Sequence, residues 1–396
     1  MQVLLTSDAK FERLPDGTIW GAAAYSHAVW ARYLDTFSSV MIAARVAGVR
    51  ELSPGLVRAS GPGISFCKLP SYSGLGGLLR SSTGMRAAVV QALGACPAVI
   101  VRSPSPTAYL AAQAMLRSGR PYAAQIVGDP DQVFSAGVFR HPLRVPLRHA
   151  ATAAQKLIAR HAHTVMYVTS RTLQRKYPAT GRVFSGSDVS LDDAAFAVPP
   201  RVARSGPEAF TLVTVASLDQ PYKGTEVLLD AFTTLRQSRH QIRLLIVGGG
   251  ALLPAYRERA RALGIAEDVE FLGQVDREGV RRALDRAQLF VLPSLTEGLP
   301  RALLEAMARR LPCVATQVGG IPELLPAHCL VPSKDAPALA RMLGEFIADE
   351  WVREANAERN QQVARGFHER VQRRLWKEFL STVREASVGR QEAVCA

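Results

Sequence analysis

Aromatic side chains are scarce in this sequence, at 7%, and cysteines number only five in 396 residues, with no C-x-x-C pair among them. Cys67, Cys96, Cys313, Cys329 and Cys395 are odd in number and widely spaced, which suggests neither a disulfide framework nor a zinc site. They read as reduced and mostly buried. No apolar run approaches the roughly 18 residues that a spanning helix needs. The opening "MQVLLTSDAK" lacks a basic segment followed by a long apolar stretch. Both absences point to a cytoplasmic protein, with peripheral contact at the inner face of a membrane left open. Acids are also under-represented, 34 against 48 Lys and Arg, so the net charge of +14 favours an acidic partner: phosphate, nucleic acid or an anionic membrane. With so few aromatics and no aromatic-plus-basic stripe, nucleic acid is the weakest of these.

What is present is a rhythm. From residue 211, "TLVTVAS", "IRLLIVGG", "VEFLG", "LFVLPS" and "PCVAT" alternate with helical patterns such as "KGTEVLLDAFTTLRQS" and "PRALLEAMARR". Repeated βα units call for a parallel sheet with helices on both faces. The first half carries the same alternation less cleanly, and the length exceeds what one core supports, so two doubly wound, Rossmann-like domains are expected, 1–199 and 200–396. The linker is placed in "LDDAAFAVPPRVARSGPEAF", residues 191–210, where Pro199, Pro200, Gly206 and Pro207 gather without a sustained period. After residue 333 the pattern is helical, and the final "SVGRQEAVCA" looks frayed.

The densest chemistry lies in "TEGLPRALLEAMARRLPCVATQVGGIPELL", residues 296–325, where Glu297 and Glu305 stand eight positions apart. The apolar run before it reads as a buried strand, so Glu297 falls in the loop at a carboxyl end, where open α/β sheets bind ligands. Pro300 suits the first turn of a helix, and backbone N–H groups of Gly298, Leu299 and Arg301 are candidates to face a hydroxyl-rich or anionic ligand. Ionised acids accept paired O–H bonds, which suits sugar recognition. The competing account is a solvated Glu297 and a Glu305 paired with nearby arginines. "QVGGIPELL" repeats the construction, a Gly319-Gly320 turn leaving a strand and opening another helix, so two strand ends are expected to offer N–H donors to one crevice.

E-x7-E with this loop and "GGIPE" behind it resembles the retaining glycosyltransferases of family 4, which have the GT-B fold of two Rossmann-like domains facing across a cleft. The resemblance covers about 211–333. It implies transfer of a hexose from a nucleotide diphosphate sugar, without metal or bound cofactor, to a saccharide, lipid-linked or small-molecule acceptor. The first domain would take the acceptor and the second the donor, and the last helix would cross back to the first domain. It implies further that Glu297 lies beside the transferred sugar, that Glu305 holds the nucleotide ribose, and that Gly298, Leu299, Pro300, Arg301, Gly319 and Gly320 line the donor. "VASLDQPYKGTEVLLDAF" matches the family's other donor element through Lys223 and Gly224, while Ser217 stands where the family has an arginine.

In the first half, Gly21-Ala22 matches imperfectly a family glycine pair whose backbone approaches the donor phosphate or the acceptor, and Asp8, Lys10, Asp16 and Trp20 are candidates for the acceptor side or for plain loop surface. "AAQIVGDPDQVF" has Gly128 and Asp129 where the family has a histidine, so Asp129 is the candidate general base, with a turn or cap aspartate as the alternative. Residues 140–163 carry Arg140, Arg144, Arg148, Lys156 and Arg160 and no acid, a pattern open to membrane contact or to a solvated helix face. His161 and His163, two apart, do not share a helical face, so no metal site follows. "LLIVGGGALLP" has Leu253 at the third glycine position of a dinucleotide fingerprint and reads as a tight turn. The sequence leaves three rivals: a nucleotide-sugar epimerase, a catalytically weak sugar-nucleotide-binding protein, and an NAD-linked oxidoreductase.

Overall fold

A computed structural model of the chain describes residues 1–72, 74–135, 139, 141–198, 209–238 and 241–395. The chain divides into two compact units, Met1–Asp131 with Pro146–Gly186 and Arg373–Ala396, and Gln132–Val145 with Ser187–Gln372. The first unit's main segments end at Gly186 rather than at 199, and the unit takes in the C-terminal helix from Arg373 onward. Of the expected linker, residues 199–208 lie outside the described residues. Residues 191–198 belong to the second unit: Leu191 bridges His368, and the buried Arg309 donates to the carbonyls of Ala194 and Ala197 at 3.1 and 2.6 Å.

The first unit contains β1 (Gln2–Arg13), β2 (Ile19–Gly21), β3 (Ser39–Gly48), β4 (Val57–Arg58), β5 (Ile64–Leu69), β6 (Ala98–Ser103), β7 (Ala123–Ile126), β8 (Thr164–Tyr167) and β9 (Arg182–Ser185). Seven run parallel in the order β5-β3-β1-β6-β7-β8-β9, and β2 and β4 add an antiparallel extension at the far end of β1. The apolar runs are continuous because both sheet faces are covered. Leu4 and Val99 enter one core, while Val3, Leu5 and Ile100 enter the other.

The last helix, Glu369–Cys395, shows why its sequence is amphipathic: Trp376, Phe379, Leu380 and Val383 recur at helical spacing and join the second of these cores. Fully burying each such side chain is worth roughly 1.5–3 kcal/mol, enough to fix the helix on the first unit. The helix continues to Cys395 through the stretch expected to fray.

The second unit contains β10 (Phe210–Val215), β11 (Ile242–Val247), β12 (Val269–Gly273), β13 (Leu289–Leu292), β14 (Cys313–Thr316) and β15 (Leu330–Val331), all parallel, in the order β12-β11-β10-β13-β14-β15. The chain winds outward from β10 through β11 to β12, then returns to β13 on the other side. The winding therefore reverses between β10 and β13, and open α/β sheets hold ligands outside the carboxyl ends at such a reversal. Each unit has the expected doubly wound character.

Candidate active site

Lys223 follows β10 and Glu297 follows β13, so the topology alone brings them to the same reversal point. Their side chains meet: Lys223 Nζ donates to Glu297 Oε1 at 2.6 Å, with 18% and 8% of the two side chains exposed. Ser294 Oγ donates to the same oxygen at 2.7 Å. Glu297 Oε2 accepts no hydrogen bond among the described residues. The carboxylate is thus fixed through one oxygen and open through the other. An ion pair this far from water attracts more strongly than a surface pair, and it persists only because geometry and a further hydrogen bond offset desolvation.

Three loops lock around this pair. Leu295 N donates to Tyr222 O at 2.7 Å, tying the loop after β13 to the one after β10, and the Lys223 ammonium lies 5.1 Å from the Tyr222 ring centroid. Thr316 Oγ1 donates to Ser294 O at 2.5 Å from the end of β14. Gly224 is left-handed, at φ 72°, and a Cβ there would lie 2.0 Å from Pro293 O. Gly319, at φ 56°, would set a Cβ 1.8 Å from Glu297 O. Both positions demand glycine twice over, by conformation and by space.

Gly320 N donates to Gly298 O at 2.8 Å, which changes one expectation. The Gly319-Gly320 turn does not offer that N–H to a ligand; it braces the Glu297 loop. The helix it opens, Ile321–Leu324, is a single turn. N–H groups remain open instead at Gly298, Leu299 and Arg301, which donate to no acceptor among the described residues. Pro300 is the N-cap of the helix Arg301–Ala308 rather than its first turn, and that helix start leaves further unpaired donors.

Glu305 lies on the same helix, half-buried, and its side chain makes no hydrogen bond or ion pair among the described residues. Burial raises its pKa above the usual glutamate range, while Arg301, Arg277 and Arg281 oppose the rise and Asp192 adds to it. The alternative of a Glu305 paired with its arginines is not what the structure shows: Arg281 pairs with Asp192 at 2.8 Å and Arg277 pairs with it at 3.1 Å. Ser217, where the resemblance expects a cation, donates to Asp219 Oδ2 at 2.8 Å and brings a carboxylate to that loop. Gly248 and Gly250 pack against Ala216 and Leu218, a tight turn rather than a dinucleotide loop.

In the first unit, Asp129 is 6% exposed and engaged on both oxygens. Oδ1 accepts from Tyr177 Oη at 2.5 Å and from Asp131 N at 3.0 Å, and Oδ2 accepts from Lys176 Nζ at 2.8 Å. Lys176 also reaches Asp131 at 2.8 Å, and Arg148 lies 3.4 Å from Asp131. This is the alternative weighed for Asp129, a turn carboxylate that organises its loop. A base needs a lone pair directed at its substrate, and here both oxygens serve protein donors. Gly21 is buried in the β1–β2 hairpin, where a Cβ would fall 2.7 Å from the Phe11 ring, so packing accounts for its size. Among the described residues no group of three or more His, Cys, Asp or Glu could hold a metal ion. Cys67, Cys96, Cys313 and Cys329 form no disulfide.

Sequence reasoning passed over Ser294, Tyr222 and Thr316, which fix Glu297 and its loop, and the pair Arg277 and Arg281 near Glu305. Ser294 had a legible signal, a hydroxyl immediately past a buried strand and three residues before the acid. The others depend on contacts between distant loops.

The family described as Glycosyl transferases group 1 matches residues 209–349, which fall in the second unit. Protein CapJ of Staphylococcus aureus is 25% identical over 371 residues, covering 93% of this chain and 92% of CapJ. The amylovoran biosynthesis glycosyltransferase AmsK of Erwinia amylovora is 39% identical over 165 residues, 36% of this chain and 40% of AmsK. Among solved structures, sucrose-phosphate synthase from Thermosynechococcus elongatus superposes with a TM-score of 0.67 at 19% identity, covering 100% of both chains. Anabaena HepE in complex with UDP-glucose gives 0.66 at 18% identity, covering 96% of this chain and 100% of HepE. The structural likenesses establish the fold.

Proposed function

We propose, from the premise that this chain is a glycosyltransferase of GT-B fold and family 4 type, that it moves a hexose from a nucleotide diphosphate sugar to an acceptor hydroxyl with retained configuration and without a metal. The observation that carries this reading is the Lys223–Glu297 contact of 2.6 Å at the reversal point of the second sheet, flanked by open N–H groups. A departing diphosphate needs positive charge, which Lys223 supplies. The sugar needs its hydroxyls held, which Glu297 Oε2 and the N–H groups of Gly298, Leu299 and Arg301 do. Fixed dipoles of this kind act without reorganising as charge develops. Glu305 takes the ribose hydroxyls, and its lack of a protein partner suits that task. On the retained face, the leaving phosphate accepts the acceptor's proton, so the reading needs no Asp129 base.

UDP-sugar is the favoured donor class, since HepE was crystallised with UDP-glucose, and polysaccharide or glycolipid assembly is the favoured setting, given relatives such as AmsK. A cytoplasmic protein meeting an anionic membrane fits the helix Arg144–His161, whose exposed His149, Ala153, Lys156 and Arg160 form an acid-free stripe. Arg140 of the same basic run lies outside the described residues. No helix among the described residues is long and apolar enough to cross a membrane.

Thermal-shift titration with UDP-glucose, UDP-N-acetylglucosamine and GDP-mannose, followed by mass spectrometry of products with candidate acceptors, tests the reading. A Glu297→Gln variant that still binds donor and transfers at the wild-type rate would sink it. Ser217 favours a second reading, a weakly active donor-binding protein, because its partner Asp219 puts negative charge where a cation is wanted. Ser217→Arg separates the two: it raises turnover about tenfold or more if the missing cation limits the rate, and leaves turnover unchanged if it does not.

A further inference from the structure

The first sheet reverses its winding as the second does. Its chain passes from β1 outward to β3 and β5, then returns to β6 on the other side of β1. The crevice beyond the carboxyl ends of β1 and β6 is therefore the first unit's own ligand position by the same rule. Pairing of β1 with β6 stops at Leu5, where Thr6 Oγ1 accepts from Arg102 N at 3.0 Å. Pairing of β1 with β3 breaks between Thr6 and Lys10, so residues 7–9 bulge out of the ladder. Bulges of this kind re-aim a side chain beside a site.

The side chain re-aimed is Asp8. Its Oδ1 accepts from Thr107 Oγ1 at 2.7 Å, and Thr107 is wholly buried in the first turn of the helix Pro106–Arg117, which follows β6. From β3, Arg45 donates to the Asp8 carbonyl and lays its guanidinium 4.5 Å from the Tyr72 ring centroid. Arg45 Nε is buried with no hydrogen-bond partner. The Thr107 backbone also hydrogen-bonds the Asp8 carboxylate, no other residue donates to it among the described residues, and Asp8 and Tyr72 are both only partly buried. Four segments thus converge to hold a carboxylate that, like Glu297 in the second unit, keeps acceptor capacity to spare.

We propose that Asp8, positioned by Thr107 and Arg45, binds the hydroxyl groups of an uncharged sugar acceptor through its carboxylate. The inference rests on the glycosyl-transfer reading and deepens it by naming the acceptor class. A carboxylate that is half shielded from water repels a phosphate or uronate, and the guanidinium beside it gives one N–H to the Asp8 carbonyl, lies over the Tyr72 ring and keeps its Nε donor buried. Neutral hydroxyls satisfy the carboxylate's remaining acceptor capacity without burying an unpaired charge. Burial raises the Asp8 pKa, against the hydrogen bonds from the Thr107 hydroxyl and backbone and the Arg45 charge.

Saturation-transfer NMR on the full chain tests this with methyl α-glycosides of glucose, mannose, galactose and N-acetylglucosamine, in saturating UDP to block the donor side. At least one glycoside should give a signal that Asp8→Asn reduces fivefold or more. Asparagine resembles the neutral acid and should preserve the fold, and Thr107→Val, which frees the carboxylate, should weaken the signal less. UDP affinity should stay within twofold in both variants. No glycoside signal in the wild type, an equal signal in Asp8→Asn, or preference for methyl glucuronide or pyrophosphate overturns the proposal. Failure of the wild type to bind any UDP-sugar or GDP-mannose would instead remove the transfer reading beneath it.

Discussion

Both units reverse their winding beside a central strand, yet the two reversal points are built to different standards of rigidity. In the second, three loops are bolted by Gly320 N to Gly298 O, Leu295 N to Tyr222 O and Thr316 Oγ1 to Ser294 O, at 2.8, 2.7 and 2.5 Å. In the first, Asp8 sits on a bulge held by Thr107 and by Arg45 on its carbonyl, with no backbone bond between the loops that follow the strands among the described residues, and the neighbouring loop carboxylate Asp129 is consumed by Lys176 and Tyr177. The difference follows from the chemistry assigned to each. Charge that develops in a transition state rewards donors that need not move, whereas binding a neutral hydroxyl tolerates slack. A shared topology decides where ligands go; the density of loop-to-loop bonds decides how demanding the chemistry there can be.

The sharpest way to break that contrast is to cut the bolted site at its centre. Glu297→Gln and Lys223→Met should each reduce transfer about 100- to 1,000-fold, the range seen when one preorganised electrostatic contact is removed. Because the two side chains act as a pair, the double variant should be little worse than the poorer single. Fully additive losses in steady-state assays would show that Lys223 and Glu297 work independently, and the rigid-site account would fail. Circular dichroism should report an unchanged fold in all three.

Gly319→Ala probes the bolting rather than the chemistry. A methyl forced toward Glu297 O in left-handed backbone should cost about 1–3 kcal/mol and shift the Glu297 loop, lowering transfer about 10- to 100-fold as small misplacements do. Gly21→Ala is the matching change in the first unit. Its methyl would press on Phe11, costing about 1–3 kcal/mol by overpacking, but UDP affinity measured by calorimetry should hold. A fall in UDP affinity for Gly21→Ala would give that glycine the donor-side role, one of the two that the resemblance implies for it.

The parts of this architecture that were legible in the sequence share one property: they are set by local pattern. Alternating "IRLLIVGG" and "PAYRERARALG" can only be a buried strand and a surface helix, so the doubly wound character of each unit was visible from periodicity. Glu297 was visible because it sits in the loop just past such a strand, and Lys223 through the resemblance that its Lys-Gly element carries. Asp129 misled because a single acid after a strand reads the same whether its partners are substrate or Lys176, which is 47 residues away. At the Gly319-Gly320 turn the spacing was right, but one of its two N–H groups, that of Gly320, is taken by the Gly298 carbonyl in another loop. The placement of residues 187–198 with the second unit was equally hidden, since it depends on Arg309 and His368 far along the chain. What sequence cannot supply is which of several distant partners claims a polar group.

Glu305 gives the smallest expected effect and the finest discrimination between a polar group held ready and one already spent. Its carboxyl is destabilised as an anion by burial, only partly relieved by Arg301, Arg277 and Arg281. A folded pKa above the unfolded value means that the group's stabilising contribution is full at low pH and is lost as pH rises through the folded pKa. Glutamine cannot ionise and so escapes that loss. Glu305→Gln should therefore melt about 1–3 °C above the wild type near pH 8, with the gap closing toward pH 4, on the scale of a sub-kcal/mol change in a domain this size. The same variant should bind UDP more weakly, because an amide offers one acceptor where the carboxylate offers two. Scanning calorimetry across pH and a UDP titration decide the matter together: a variant less stable at pH 8 would mean that Glu305 is already satisfied by its arginines, and the group would then be spent on the fold as Asp129 is.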